Sequence, residues 1–408
     1  MSVNFSASSD FLGTTFGIVS LVFVVFILII GIIDRTQTRH SVRRNYPVIG
    51  RMRWILEDAG IFFRAYVPTQ DTDAITRDKR IWAVKAGKLN KTNESFGSSL
   101  KFHDAKFAFV NSNYPIIPTV EDKIPNSITY GEKTENPYTS DSRINISAMS
   151  YGALSDVAVL SLSQGAAKGN FLMNTGEGSL SKYHVEGKAP IIFQIGTAKY
   201  GCANEDLTLN TEKLAELAKN EQIKMFEIKL SQGAKPGKGG ILPAEKVDKN
   251  IAEARGINVG EASISPNRHV EVDSDESLLE LIFKVKTHSK KPTGIKLCLG
   301  SEKQLNSLFT LMSSKLKTKN GHMYVPDFIT IDSADGGTGA APVAHMDVMG
   351  MYIQESLPTL ISKLNEYNLR SHIKVIGSGK LITPIEAGWA GAHGVDAINV
   401  GRGFLFNL

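Results

Sequence analysis

Residues 225–240 read MFEIKLSQGAKPGKGG, a short apolar run with strand-like alternation that breaks abruptly into a loop. Between Lys229 and Gly240 the loop holds four glycines, one proline and three lysines. The same punctuation, a β-type run followed by a glycine-rich or polar loop and then a helical pattern, recurs from Arg143 onward. Runs of this kind lie at 144–150, 171–174, 190–195, 224–230, 294–299, 327–332, 373–377 and 397–401, with amphipathic helical stretches at 156–168, 211–220, 245–255, 275–287 and 351–367. Eight strand units alternating with helices predict an α/β chain folded as a TIM (β/α)8 barrel, with an open doubly wound sheet as the alternative.

The unusual residues cluster just after these runs. They are SYGALS at 150–155, NTGEGS at 174–179, the opening loop, SADGGTGAAP at 333–342, GSGK at 377–380 and GRGF at 401–404. In a barrel the carboxyl ends of the strands share one face, so motifs scattered in sequence become one constellation in space. Gly377-Ser378-Gly379-Lys380 and Gly401-Arg402-Gly403 follow the seventh and eighth runs, where barrels bind phosphate through bare backbone N–H groups. Tight βα turns alone would also use such glycines, but the pair of loops with a cation beside each points to a phosphate cradle. Neither the Walker pattern nor GxGxxG is met there.

Glu177, Gln194, Lys229, Gln232, Lys235, Asn267, Arg268 and Asp335 are the polar groups expected on that face, suited to orienting a ring with several acceptors and to binding an acidic substrate. Alternation along 227–230 points Lys229 into the barrel mouth. A buried cation there calls for an anionic partner, which a reduced flavin or a dicarboxylate supplies. Ala148-Met149-Ser150-Tyr151-Gly152 has the form of a nucleophile elbow, which makes a serine hydrolase using Ser150 a remote alternative, with His345 and His393 as the late histidines. His269, His288, His322 and His345 show no metal-binding spacing. With no thiol in position, chemistry borrowed from a bound cofactor is the simplest reading.

Net charge of +5 with no long basic block outside the segment near residue 40 gives little reason to expect nucleic acid. Cys202 and Cys298 are the only cysteines and form no CxxC pair, so a reducing compartment is expected. Residues 11–33, FLGTTFGIVSLVFVVFILIIGII, are uncharged and long enough to span a bilayer. Arg35, Arg39, Arg43, Arg44, Arg51 and Arg53 follow, which by the positive-inside rule puts the downstream chain in the cytoplasm. The expected organisation is a tail over 1–10, a transmembrane helix over 11–33, a connector over 34–140 packing on the barrel, and the barrel over 141–408.

SYGALS, NTGEG, IKLSQGAKPGKGGILPAEKV, SISPNRH and DSADGGTGAAP together resemble the FMN-binding central domain of glutamate synthases, from about residue 143 to the end. The N-terminal span and RRNYPVIGRMRW are similar to stand-alone, membrane-anchored members of that family. The resemblance implies a TIM barrel holding FMN, in which reduced flavin gives a hydride to the 2-iminoglutarate formed from 2-oxoglutarate and ammonia, yielding L-glutamate. It places Met149, Ser150, Gln194 and Lys229 along the flavin and Gly377, Ser378, Gly379, Lys380, Gly401 and Arg402 at its phosphate. Lys229 and Glu177 become the catalytic pair, and Gln232, Lys235 and Arg268 the substrate side.

The chain also departs from that pattern. It begins Met1-Ser2 and lacks the N-terminal cysteine of the family's glutamine amidotransferase domain, so ammonia is expected from solution or from a separate amidotransferase. Reducing equivalents are expected from an electron-donor protein or an NAD(P)H-dependent reductase. Gly377-Ser378-Gly379 stands where relatives have Asp-Gly-Gly. The cysteines that ligate the family's iron–sulfur cluster are absent, and the sequence stops just past the eighth run. A truncated frame, or an inactive scaffolding remnant on the membrane, is therefore the alternative to an active enzyme.

Overall fold

The computed structural model describes residues 6–38, 41–53, 55–57, 59–60, 77–90, 127–233, 235, 237, 239–338 and 349–408. Arg39, most of the connector over 61–126, His345 and the end of the SADGGTGAAP motif lie outside the described residues. The chain forms two compact units, Met1–Asp78 and Lys79–Leu408.

The first unit contains helix α1 (Ser6–Thr36) and the short α2 (Ser41–Asn45). Within α1, Phe16–Thr36 has a mean hydropathy of 3.2 and is long and apolar enough to cross a membrane, by length and composition.

The second unit is a TIM barrel. Its strands are β3 (Ile144–Ile146), β4 (Met173–Asn174), β5 (Ile191–Ile195), β6 (Ile223–Lys229), β9 (Thr293–Leu297), β10 (Phe328–Asp332), β11 (Lys374–Ser378) and β12 (Ala397–Val400). They close in the order β10-β11-β12-β3-β4-β5-β6-β9, every pairing parallel. Each strand falls on one of the eight runs expected from the sequence. Among the described residues two antiparallel strand pairs lie outside the barrel, the hairpin of β1 (Ile128–Tyr130) with β2 (Tyr138–Ser140), and β7 (Ile241–Leu242) with β8 (Ser263–Ile264).

Around the barrel run α4 (Asp156–Gly169), α5 (Lys182–Gly187), α6 (Thr211–Ala218), α7 (Lys249–Arg255), α8 (Asp275–Ser289), α9 (Lys303–Leu316), α10 (Ile353–Glu366) and α11 (Pro384–Ala392). The helix expected at 245–255 starts later, because Asp248 Oδ1 accepts the Ile251 N–H at 2.8 Å and caps α7 there. After β12 the chain makes the single turn α12 (Arg402–Leu405). Helix α3 (Arg77–Gly87) packs over that turn: the Arg80 guanidinium lies 5.7 Å from the Phe406 ring, Asn407 Nδ2 donates to Ala83 O at 3.4 Å, and Lys79 pairs with buried Glu386.

Period-two alternation divides every strand between two environments. Phe193, Phe226, Ile228, Ile295, Ile329, Ile331 and Val375 face the helices and join the main apolar core. Leu172, Ile192, Met225, Phe328, Ile376 and Ala397 point inward at the amino end of the strands and pack with Ile128 and Tyr130 of β1, so that hairpin plugs the bottom of the barrel. Phe328 is fully buried, meets the Tyr130 ring edge-on at 5.7 Å, and occupies the space a side chain at Gly294 would need. Phe328→Ala would open a cavity between plug and barrel, so we expect a loss of about 3–5 kcal/mol in chemical denaturation. A loss below about 1 kcal/mol would show that the plug does not pack as described.

Candidate active site

Above the apolar layer the barrel interior turns polar. Glu227, next inward on β6 after Met225, is fully buried. Its Oε1 accepts from Asn174 Nδ2 at 2.8 Å and from Gln194 Nε2 at 2.7 Å, and its Oε2 accepts from Thr330 Oγ1 at 2.5 Å. One carboxylate thus ties together β4, β5, β6 and β10. A second does the same one step higher. Asp332 Oδ1 accepts from Ser378 Oγ at 2.9 Å, while its Oδ2 accepts the Gly233 N–H at 3.0 Å and lies 3.5 Å from Lys296 Nζ. Burial alone would pull the Lys296 ammonium below its ordinary pKa, but Asp332 and Glu227 together more than offset it, and the value ends raised.

At the rim, Lys229 Nζ donates to Glu177 Oε2 at 2.9 Å and to Gln232 Oε1. Glu177 comes from the 3-10 turn Gly176–Gly178 that follows β4, so three of the expected site residues converge from two loops. Burial would raise the Glu177 carboxyl, yet the adjacent Lys229 ammonium holds it below its ordinary value. Lys229 is pulled below the ordinary lysine value by burial, with Glu177 opposing.

Three of the four glycines of the opening loop are explained by close approach, and Gly237 by its φ of +74°. A side chain at Gly233 would overlap the Ser333 carbonyl, one at Gly239 the Ser265 carbonyl, and one at Gly240 the Glu177 carboxylate. Lys235 is buried in the same loop, 4% exposed, close enough to act on Glu177. Arg268 is not part of this cluster: it is exposed, and its Nη1 donates to Val272 O at 2.9 Å within its own turn. Asn267 beside it is also exposed.

The two expected phosphate loops emerge side by side, since β11 and β12 pair through Ile376–Ala397, Gly377–Ile398 and Ser378–Asn399. Gly379 has φ +139° and packs on Ser333, a conformation and approach that require glycine. Gly401 faces Ser147 and Met149, where an added methyl group would lie 3.9 Å from the Met149 sulfur. Lys380 Nζ pairs with Asp335 Oδ2 at 3.1 Å, and Arg402 lies over Gly337. Gly377 faces Val395 and Leu381 on the helix side, and Ser378 is committed to Asp332.

Ser150 sits where the loop after β3 stacks on the Gly176 turn, and its carbonyl accepts the Ala153 and Leu154 N–H groups. His393 Nδ1 is bonded to Trp389 O at 2.8 Å at the end of α11, so among the described residues neither late histidine is brought to Ser150, His345 lying outside them.

Several members of the cluster were not anticipated. Asn174, Glu227, Lys296, Thr330 and Asp332 lie inside strands that read as apolar, and the signal was the presence of charged groups at inward positions of those strands. His269 Nε2 donates to Lys229 O at 2.9 Å and anchors the end of β6, a role with no sequence signature. Arg255 of α7 donates to Tyr151 O at 2.9 Å and to Ser263 Oγ at 2.7 Å, bracing the loops behind Glu177.

A closed parallel barrel with a charged cluster at the carboxyl ends of its strands defines the class of a (β/α)8 barrel with its ligand site at that face. Residues 88–408 match the conserved region in glutamate synthase. The glutamate synthase large subunit-like protein YerD of Bacillus subtilis is 35% identical over 432 residues, covering 96% of this chain and 81% of that protein. The archaeal glutamate synthase [NADPH] of Methanocaldococcus jannaschii is 35% identical over 270 residues, covering 66% of this chain and 48% of that protein. The chain therefore belongs to the glutamate synthase family of oxidoreductases, and it spans about half the length of the archaeal relatives it matches. A solved mandelate oxidase carrying an FMN adduct aligns at a TM-score of 0.46 and 12% identity over 87% of this chain and 86% of that one, a likeness too distant to bear on function.

Glu177→Gln removes the charge that opposes the effect of burial on Lys229, so the lysine pKa falls further. The pH at which Lys229 is half modified by an amine-selective reagent, read by peptide mass spectrometry, is expected to move down. An unchanged or higher midpoint would refute the coupling.

Proposed function

We propose that the chain is an FMN-dependent oxidoreductase of the glutamate synthase type, which converts 2-oxoglutarate and ammonia to L-glutamate through 2-iminoglutarate. The observation that carries this reading is the Lys229–Glu177–Gln232 cluster at the mouth of the barrel, with buried Lys235 beside it. Such a set offers N–H donors and a charge to a carboxylate substrate in a site of low dielectric.

The residues present suit FMN. Gly379 and Gly401 bring bare backbone to neighbouring strand ends, Lys380 and Arg402 supply cations for a phosphate, and Met149 faces Gly401 where an apolar ring edge would pack. When bound, FMN supplies the hydride. Lys229 holds a substrate carboxylate or a reduced ring, depending on which approaches it. Gln232 orients the Lys229 ammonium, and Glu177 keeps it charged. Gln194 gives its Nε2 to Glu227, which leaves its amide oxygen as the acceptor it can offer a ligand. An iron–sulfur cluster has no matching residues: Cys202 and Cys298 are both buried free thiols, and no metal-binding group of side chains occurs among the described residues.

Electrons come from a donor protein or a nicotinamide-dependent reductase, and ammonia from solution or a separate amidotransferase. Helix α1 anchors the chain to the membrane, and the arginines that follow it place the barrel in the cytoplasm.

Purified protein is expected to show a flavin absorbance band and, with a reduced donor, to consume 2-oxoglutarate and ammonium. Protein that cannot be loaded with FMN would overturn the proposal. Lys229→Met deletes a charged hydrogen-bond donor worth about 1.5–3 kcal/mol, so kcat/KM for 2-oxoglutarate should fall roughly 10- to 100-fold. Full turnover in that variant would remove the lysine from the mechanism.

A further inference from the structure

Near the end of α1 the chain folds back on itself. Asp34, fully buried, accepts from Arg51 Nε at 2.9 Å, from Arg51 Nη2 at 2.7 Å and from the Val48 N–H at 3.0 Å. The two residues are seventeen apart in sequence, and the fork geometry fixes their relative height as well as their distance. From Phe16 to Thr36 the apolar stretch of α1 has 21 residues, a rise of ~31 Å, against a hydrocarbon core of ~30 Å. Asp34 therefore lies where such a span leaves the hydrocarbon, and Arg51 holds the next segment at that level.

That next segment is helical at 49–53 and 55–57, as 3-10 and then α backbone, and it exposes its apolar side chains. Ile49 is 72% exposed, Met52 54% and Leu56 63%. They stand three and four residues apart, which puts them on one helical face, with Ile55 beside them. Arg51 reaches Asp34 from another side of the same turn, so the salt bridge leaves the apolar stripe exposed among the described residues of this unit. Exposed cations flank the stripe in sequence: Arg35 just beyond Asp34, Arg44 on α2, and Arg53, which pairs with Glu57 at 2.8 Å. Tyr46, 68% exposed, adds an amphipathic ring of the kind found at headgroup depth.

We propose that the stretch over 46–53 and 55–56 forms a second membrane contact, lying in the headgroup layer of the bilayer that α1 spans, with Ile49, Met52 and Leu56 toward the acyl chains and Arg35, Arg44 and Arg53 toward anionic phospholipid phosphates. The inference rests on the reading of α1 as a membrane anchor. Continuity with that span supplies the lipid surface, the Asp34–Arg51 clamp supplies the depth, and the arginines supply the preference for negative charge. The clamp also removes the cost of an isolated carboxylate at the membrane border by giving Asp34 a cation and a backbone donor. The contact makes the first unit a two-point attachment instead of a single flexible tether.

The test uses the full chain in phospholipid vesicles. Cys202 and Cys298 are buried, so a single introduced cysteine can be labelled selectively with an environment-sensitive fluorophore. Val24→Cys reports the span, and Met52→Cys reports the proposed contact. With phosphatidylglycerol present, both labels should emit to the blue and be quenched by nitroxide carried on the lipid, with the label at 52 quenched best by a shallow nitroxide. Arg44→Gln combined with Arg53→Gln should reduce quenching at 52 and leave 24 unchanged. Quenching at 24 but none at 52 would overturn this inference and leave the anchor intact, whether water or the barrel covers the stripe. Absence of quenching at both positions would overturn the anchor as well. Equal quenching at 52 in purely zwitterionic vesicles would overturn the assignment of an anionic surface.

Discussion

A carboxylate buried at the centre of a barrel persists only if neighbouring strands satisfy it, and Glu227 is satisfied from three of them. Asn174, Gln194 and Thr330 must each face inward at one height for this to happen, so the network and the barrel register require each other. A one-residue slip of β6 would turn Glu227 toward the helices and bring Phe226 or Ile228 into the polar layer. Closure thereby becomes specific where hydrophobic burial alone would tolerate alternatives. The apolar plug beneath contributes stability, and the polar layer contributes register.

The upper hub carries that order into the loops. Asp332 is bonded to a backbone N–H of the glycine-rich loop as well as to a strand side chain, so the loop after β6 is fastened to the end of β10. Glycines then let the loops approach at van der Waals limits, with Gly233 on Ser333 and Gly240 on Glu177. Replacing either would move a loop that positions Lys229 or its partner. The density of glycine in this stretch therefore records loop-on-loop packing more than phosphate binding.

How much of this was legible in the sequence follows from the range of each interaction. Strand runs were readable because apolar stretches of four to seven residues ending in glycine loops are local patterns, and each of the eight strands overlaps one of them, three extending one residue beyond. Lys229 was readable for the same reason, through alternation. Glu227 and Lys296 were harder, because a charge within an apolar strand reads as an interruption until closure supplies its partners from strands distant in sequence. Arg268 shows the converse: its neighbours in the SISPNRH motif mark it as a site residue, yet its guanidinium closes a local turn with Val272. Gly377 and Ser378 were grouped with the phosphate loop by adjacency, while strand alternation sends one to the helix layer and the other to Asp332.

Charge balance at the mouth bears on how an acidic substrate would be selected. Lys229, Lys235, Lys296 and Arg255 act on a group that also contains Glu177, Glu227 and Asp332, which leaves a surplus of one positive charge. Two of the carboxylates are locked to strands, and the Lys296 charge is held by both of them. A dicarboxylate therefore meets little net field from the cluster as a whole, and long-range attraction is a weak basis for discrimination. On the proposed function, discrimination would instead come from directed contacts at the rim, where Lys229 has one carboxylate partner, Glu177, and one amide partner, Gln232. An incoming carboxylate that takes the Lys229 donor competes with Glu177 for it, and whichever wins sets the protonation of the other. On the proposed function, the rim pair would couple substrate charge to proton position, while the buried carboxylates beneath it stay committed to their strands.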